Sequence, residues 1–167
     1  MAVREIVTIP EEVLRRKAHK VTNFDKDITT LIDDMFETMR QAPGVGLAAP
    51  QVAISQRVIV VEYAEEENEK PKSFAVINPE IIKTSMDTEF GIEGCLSIPN
   101  MVGDVERFSA VTIKGFNKLG KPVKIKASGW LARIFQHEVD HLDGILFTDR
   151  ATKIWQPPQE ETADLPE

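Results

Sequence analysis

An α+β domain is expected, with antiparallel or mixed strands wrapped around a central helix that carries a His-Glu-x-x-His pattern. Three features lead there. Residues 25–41 and 128–144 each place apolar side chains three and four positions apart, the period of one buried helical stripe. Between them, residues 57–63, 74–79, 105–116 and 123–127 are β-branched, apolar runs bounded by turn signals. The pattern residues His137, Glu138 and His141 fall on the second helical stretch, not in a loop.

Residues 10–16 (PEEVLRR) read as a short helix, with Pro10 at its start and acids in its first turn. Asn23 and Asp25 are candidate caps for the first long helix, whose stripe is Ile28, Leu31, Ile32, Met35, Phe36 and Met39; Pro43 and Gly44 end it. Residues 44–51 (GVGLAAPQ) are too glycine-rich for a helix interior and read as a shaped loop. The charge run at residues 64–72 is a solvated hairpin tip, with residues 81–84 a continuation of the returning strand. Lys118, Leu119 and Gly120 mark a turn between the last two runs. Ser128 or Gly129 opens the second long helix and Gly144 stops it. Residues 1–155 then form a single catalytic domain, and residues 156–167, proline-rich and acidic, a flexible tail.

The chain has 167 residues, of which 42% are hydrophobic, enough for a core without covalent staples. Its single cysteine excludes an intrachain disulfide scaffold. No apolar run exceeds four residues, so no segment suits a membrane span, and the start lacks the apolar stretch of a signal peptide. A cytoplasmic protein is expected. The formal net charge of −7 argues against nonspecific nucleic-acid binding and direct nucleic-acid readout.

His137 and His141 lie one helical turn apart, so both imidazoles can reach one metal ion while Glu138 reaches a water beside it. Cys95 supplies a soft third donor from a Gly-Cys turn. Three protein ligands leave a position open, which favours catalysis over a closed structural site. Common metalloprotease patterns fit poorly. Phe147 stands where a metzincin has its third histidine, and Glu160 and Glu161 sit in the proline-rich tail. Asp140 either orients a ligand or pairs with a surface base, the second preferred. Trp130, Arg133 and Ile134, one or two turns before His137, could line a substrate pocket, the alternative being core for Trp130 and Ile134 and a solvated charge for Arg133.

Three blocks, in order, resemble the peptide deformylase family. They are residues 44–51 (GVGLAAPQ), residues 93–97 (EGCLS) followed by Ile98-Pro99, and residues 136–141 (QHEVDH) followed by Leu142-Asp143-Gly144. The likeness spans about residues 3–150; the last twelve residues do not look like the C-terminal helix that some members carry. The resemblance implies hydrolytic removal of the formyl group from N-formylmethionyl nascent peptides, releasing formate. It implies one divalent metal ion on Cys95, His137 and His141, natively ferrous iron, Fe(2+), with zinc, nickel or cobalt as substitutes. It makes Glu138 the general base, and Gln51 and the Leu96 backbone N–H donors to the developing oxyanion. Val45, Gly46 and Gly94 would flank the peptide, which could pair like an added strand. Transient contact with the ribosome would follow from such a substrate. A metal-dependent peptidase and a metal-stabilised binding module are the competing readings.

Overall fold

The computed structural model describes residues 2–158. The first long helix, α1 (Lys26–Gln41), begins where Asp25 accepts a hydrogen bond from the Ile28 N–H at 3.2 Å, as its cap spacing suggests. After it the chain forms β1 (Gly46–Ala48) and a 3-10 turn at Ala49–Val52. The expected shaped loop therefore contains a short strand, recruited by pairing with β2 (Val58–Tyr63). The helix expected at residues 10–16 is a single 3-10 turn, Glu12–Arg15.

From β2 a hairpin returns as β3 (Lys72–Thr84), one strand whose register shifts after Ile77 and Ile81 account for its two apolar runs. The expected strand over residues 105–116 is two strands in different sheets. β5 (Ile98–Phe108) pairs with β4 (Thr88–Cys95), and β6 (Ala110–Phe116) pairs with β3 and β7 (Pro122–Ser128). Ser109 separates them. The second long helix, α2 (Gly129–Leu142), is followed by Gly144 at φ +74°, a left-handed stop that suits glycine. Two short elements close the described chain, α3 (Phe147–Arg150) and β8 (Lys153–Trp155).

One sheet has the order β1-β2-β3-β6-β7, the other β4-β5-β8, both antiparallel. Alternation splits the β2 run between two cores. Ile59 and Val61 join Val76, Ile113, Ala132 and Phe135 under α2. Val58 and Val60 join Leu31, Ile32, Met35 and Met39 under α1. A strand covered on both faces needs an unbroken apolar run, which explains the four consecutive residues Val58 to Val61. A smaller core of Ile98, Val105, Leu146 and Phe147 ties the second sheet to α3. Antiparallel sheets around α2 are the α+β arrangement expected. No helix among the described residues is long and apolar enough to cross a membrane. Most of the proline-rich tail, residues 159–167, lies outside the described residues.

Candidate metal centre and active site

Two sheet edges and one helix converge here. β1 is an edge of the larger sheet and β4 an edge of the smaller one. Between them runs a groove of about 510 Å³, with Val45 and Gly46 on one wall, Ile92 and Gly94 on the other, and Cys95, His137 and Glu138 at its floor. Leu96 lies in the turn directly after Cys95 and also lines the groove.

Burial of the α2 stripe against the sheet fixes the helix, and with it His137, Glu138 and His141. Cys95 arrives from the last residue of β4, not from a free turn. One donor atom each from Cys95, His137 and His141 lie within 4.8 Å of one another. Cys95 Sγ is 3.3 Å from His141 Nε2. That convergence of a thiol and two imidazoles fits a single metal ion.

The two histidines sit in different surroundings. His137 Nδ1 is 2.9 Å from Glu93 Oε1, which leaves Nε2 for the site. Burial opposes a charge on His137, but its hydrogen bonds to Cys95 and Glu93, with the negative charge of Glu138, raise its pKa well above the ordinary range. The pocket thus favours a cation. For His141, burial and then repulsion by His137 and Arg107 hold the pKa well below the ordinary value, so its ring is neutral, the form that binds metals.

Glu138 is 4% exposed, and its Oε1 has no hydrogen-bond partner. Burial pushes its pKa up to about 7, although the charge of His137 pulls the other way. An unpartnered carboxylate oxygen poised near neutrality at the groove floor suits a general base. Gln51 is held from both ends. Its Oε1 accepts from the Ala48 N–H at 3.0 Å, while Nε2 donates to Ser97 Oγ at 3.1 Å and lies 3.6 Å from Cys95 Sγ.

Sequence reasoning missed the ionic frame behind the site. Glu93 accepts two bonds from Arg107, at 2.9 and 2.8 Å, and one from Arg133 at 2.8 Å, besides its contact with His137. Burial would raise the Glu93 pKa, but the bonds to Arg107 and His137 hold it well below the carboxylate range. Asp140 is not a surface carboxylate. It is 9% exposed and bonded to Arg107 at 2.6 Å and to Arg150 at 2.6 and 3.0 Å. Nor is Arg133 solvated. Its guanidinium lies under β4, where a methyl group on Gly91 would come within 2.7 Å of it. Trp130, Arg133 and Ile134 all line the groove, as the pocket reading of those residues has it, and Trp130 is 45% exposed, not core. The sequence signal for this frame was confined to Glu93, which falls in the EGCLS block two residues before Cys95.

The family model for polypeptide deformylase matches residues 3–156. This chain belongs to the peptide deformylase family. It is 54% identical over 154 residues to the peptide deformylase of Symbiobacterium thermophilum, covering 92% of this chain and 69% of that protein. It is 47% identical to peptide deformylase 1 of Bacillus subtilis, covering 99% of each. A class I type b peptide deformylase from Acinetobacter baumannii, solved with Met-Ala-Ser bound, superposes with a TM-score of 0.84 at 38% identity, over 89% of this chain and 98% of that one. The family comprises metal-dependent hydrolases that remove the N-formyl group from nascent polypeptides, and the chain is an enzyme of that kind.

Proposed function

We propose that Cys95, His137 and His141 hold one divalent ion, natively ferrous iron, and that Glu138, Gln51 and Leu96 carry out deformylation of N-formylmethionyl peptides beside it. The observation that carries this is the meeting of three donor atoms within 4.8 Å next to a buried, unpartnered Glu138 oxygen. Iron follows from the family resemblance; zinc, nickel and cobalt suit the same donors. When bound, the ion supplies the Lewis acidity that lets water give up a proton near neutral pH.

The chain's own groups do the rest. Glu138 takes the proton of the attacking water and passes it to the amine released from the formyl carbon. Formate and a free amino terminus are the products. Charge growing on the formyl oxygen is met by Gln51 Nε2 and the Leu96 N–H. Gln51 gives up only a long contact with Cys95 Sγ to do so. The edges of β1 and β4 flank the groove, so an extended peptide can pair with backbone there, with Val45, Gly46 and Gly94 leaving room for it. The enzyme meets such peptides in the cytoplasm, in transient contact with the ribosome, and residues 1–155 act as one catalytic unit.

Anaerobic purification, metal analysis and a formate-release assay on a formyl-Met peptide test this. One ion per chain is expected, with formate and free amine released in equal amounts. Cleavage of internal peptide bonds without formate would replace the reading with a peptidase. A fourth protein ligand to the ion, with no turnover, would replace it with a binding module.

A further inference from the structure

The outer face of β6 and β7 carries a charge pattern that the reaction does not use. Residues 107–137 contain no aspartate or glutamate, and residues 110–128 hold five exposed lysines, Lys114, Lys118, Lys121, Lys124 and Lys126. With these five set aside, 15 basic residues remain against 27 acidic ones. The net charge of the whole chain conceals this segregation.

Strand register sets the lysines side by side. Lys114 is directly opposite Lys124, and Thr112 is opposite Lys126. On the other flank Lys83 is opposite Thr112 and Glu80 opposite Lys114. Residues directly opposite in an antiparallel ladder project to the same face. That face therefore carries Lys83, Lys114, Lys124 and Lys126 against one acid from these strands, Glu80, whose Oε2 is 3.8 Å from Lys114 Nζ. Asp33 of α1 borders the adjoining depression with Lys118 and Lys124. The inner face of the same strands, with Val111, Ile113 and Ala127, is sealed against α2. Beside the lysines a shallow groove of about 580 Å³ is lined with the hydroxyls of Thr84, Ser85, Thr112 and Ser128.

Like charges placed directly opposite destabilise a ladder. The Lys114–Lys124 pair thus costs the fold something that an anionic partner would return. Ammonium groups are compact point charges that neutralise phosphate, and hydroxyls add donors to phosphate oxygens. We propose that this face binds the phosphate backbone of structured RNA, docking the enzyme on the ribonucleoprotein machinery that presents its substrate; this rests on the reading that the chain acts on nascent polypeptides. β7 and β1 are opposite edges of one sheet, and the catalytic groove lies at β1, so docking leaves the groove open. Contacts of this kind position without reading base sequence.

The test is fluorescence anisotropy of the metal-loaded enzyme with a labelled RNA duplex across a salt series. Four lysine–phosphate contacts predict a log–log salt slope of about −3 to −4. The triple variant Lys114→Glu, Lys124→Glu, Lys126→Glu is expected to lose at least tenfold in affinity, with a shallower slope. Its formate release from a short formyl-Met peptide should stay within about twofold of wild type. A variant with the same charge change elsewhere, Lys17→Glu, Lys20→Glu, Lys26→Glu, should bind nearly as wild type. Lys124→Glu alone should raise the melting temperature while weakening binding. Wild type that ignores the duplex, equal losses in both triple variants, or binding to anionic phospholipid vesicles in place of RNA would each overturn the proposal. Intact RNA binding in a protein that releases no formate would instead sink the enzymatic reading and leave this surface standing.

Discussion

Gly46 and Glu138 lie against each other. A methyl group built on Gly46 would sit 2.5 Å from Glu138 Oε2 and 3.0 Å from its Cγ. Gly46 belongs to β1, paired with Val61, and Glu138 to α2, packed beneath the same sheet. The glycine is therefore where the groove wall and the proposed base meet. Its missing side chain is space that the carboxylate occupies.

Gly46→Ala should displace Glu138 while leaving the three metal donors in place. A misplacement of about 1 Å can cost roughly a hundredfold in rate. Formate release is expected to fall at least tenfold with metal content unchanged. Full activity in the metal-loaded variant would show that Glu138 does not act from the position seen here.

Glu138→Gln separates activity from stability. Turnover should fall by about 10²–10⁴-fold, since the amide cannot accept the proton. Stability of the metal-free protein should move the other way. The folded-state pKa is raised to about 7 from an ordinary 4.5, so the folded chain binds more protons than the unfolded chain between those values. Stability then falls as pH rises through that window, by an amount on the order of 3 kcal/mol. The neutral amide of the variant carries no such penalty. Thermal melts of the two metal-free proteins should agree near pH 4.5 and diverge above pH 7, with the variant the more stable. Parallel curves across the range would refute the raised pKa.

The two long helices, the hairpin at residues 64–72 and the pairing of His137 with His141 were legible because each rests on local spacing, whereas Cys95 entered through its ligand chemistry and the EGCLS block. What was not legible depends on tertiary contacts. The β4 strand hides in TEFGIEGC, where the alternation is only Phe90 and Ile92 between glutamates and glycines, and both of these side chains are exposed. Residues 105–116 read as one strand because nothing at Ser109 signals a change of sheet. Asp140 and Arg133 were open to a surface-charge reading, and Arg107 drew no reading at all, because only the fold shows that their partners are buried with them. That the other ring nitrogen of a metal-binding histidine meets an oxygen is a general rule, but Glu93 was identifiable as that partner only from the 2.9 Å contact.

Glu93→Gln tests the frame behind His137. The substitution keeps the shape and removes the charge that Arg107 and Arg133 share. Breaking a buried ion pair from one side typically costs about 3–5 kcal/mol. Orienting partners of metal-bound histidines are worth about 10–100-fold in metal affinity. Chelator competition should show metal loss at lower chelator concentration, alongside a clear drop in melting temperature. Unchanged metal affinity in a destabilised protein would make Glu93 a structural ion only.

Gln51→Leu removes the donor proposed for the developing oxyanion at similar volume. One such donor is worth about 3–4 kcal/mol, so kcat should fall by about 10²–10³-fold. KM should change much less, because the formyl oxygen carries little charge before attack. The geometry adds a complication. Gln51 Oε1 also accepts from the buried Ala48 N–H, and leucine leaves that group unpaired at a cost of about 1–3 kcal/mol. A lower melting temperature is therefore expected whatever the catalytic role. Gln51→Glu keeps an acceptor for Ala48 while replacing the N–H donor with a carboxylate oxygen that repels the developing charge. Both variants, with metal content verified, should lose kcat, the glutamate variant at least as much as the leucine one. Loss confined to the leucine variant would assign Gln51 to holding the loop, and a raised KM with unaltered kcat in both would make it a binding residue.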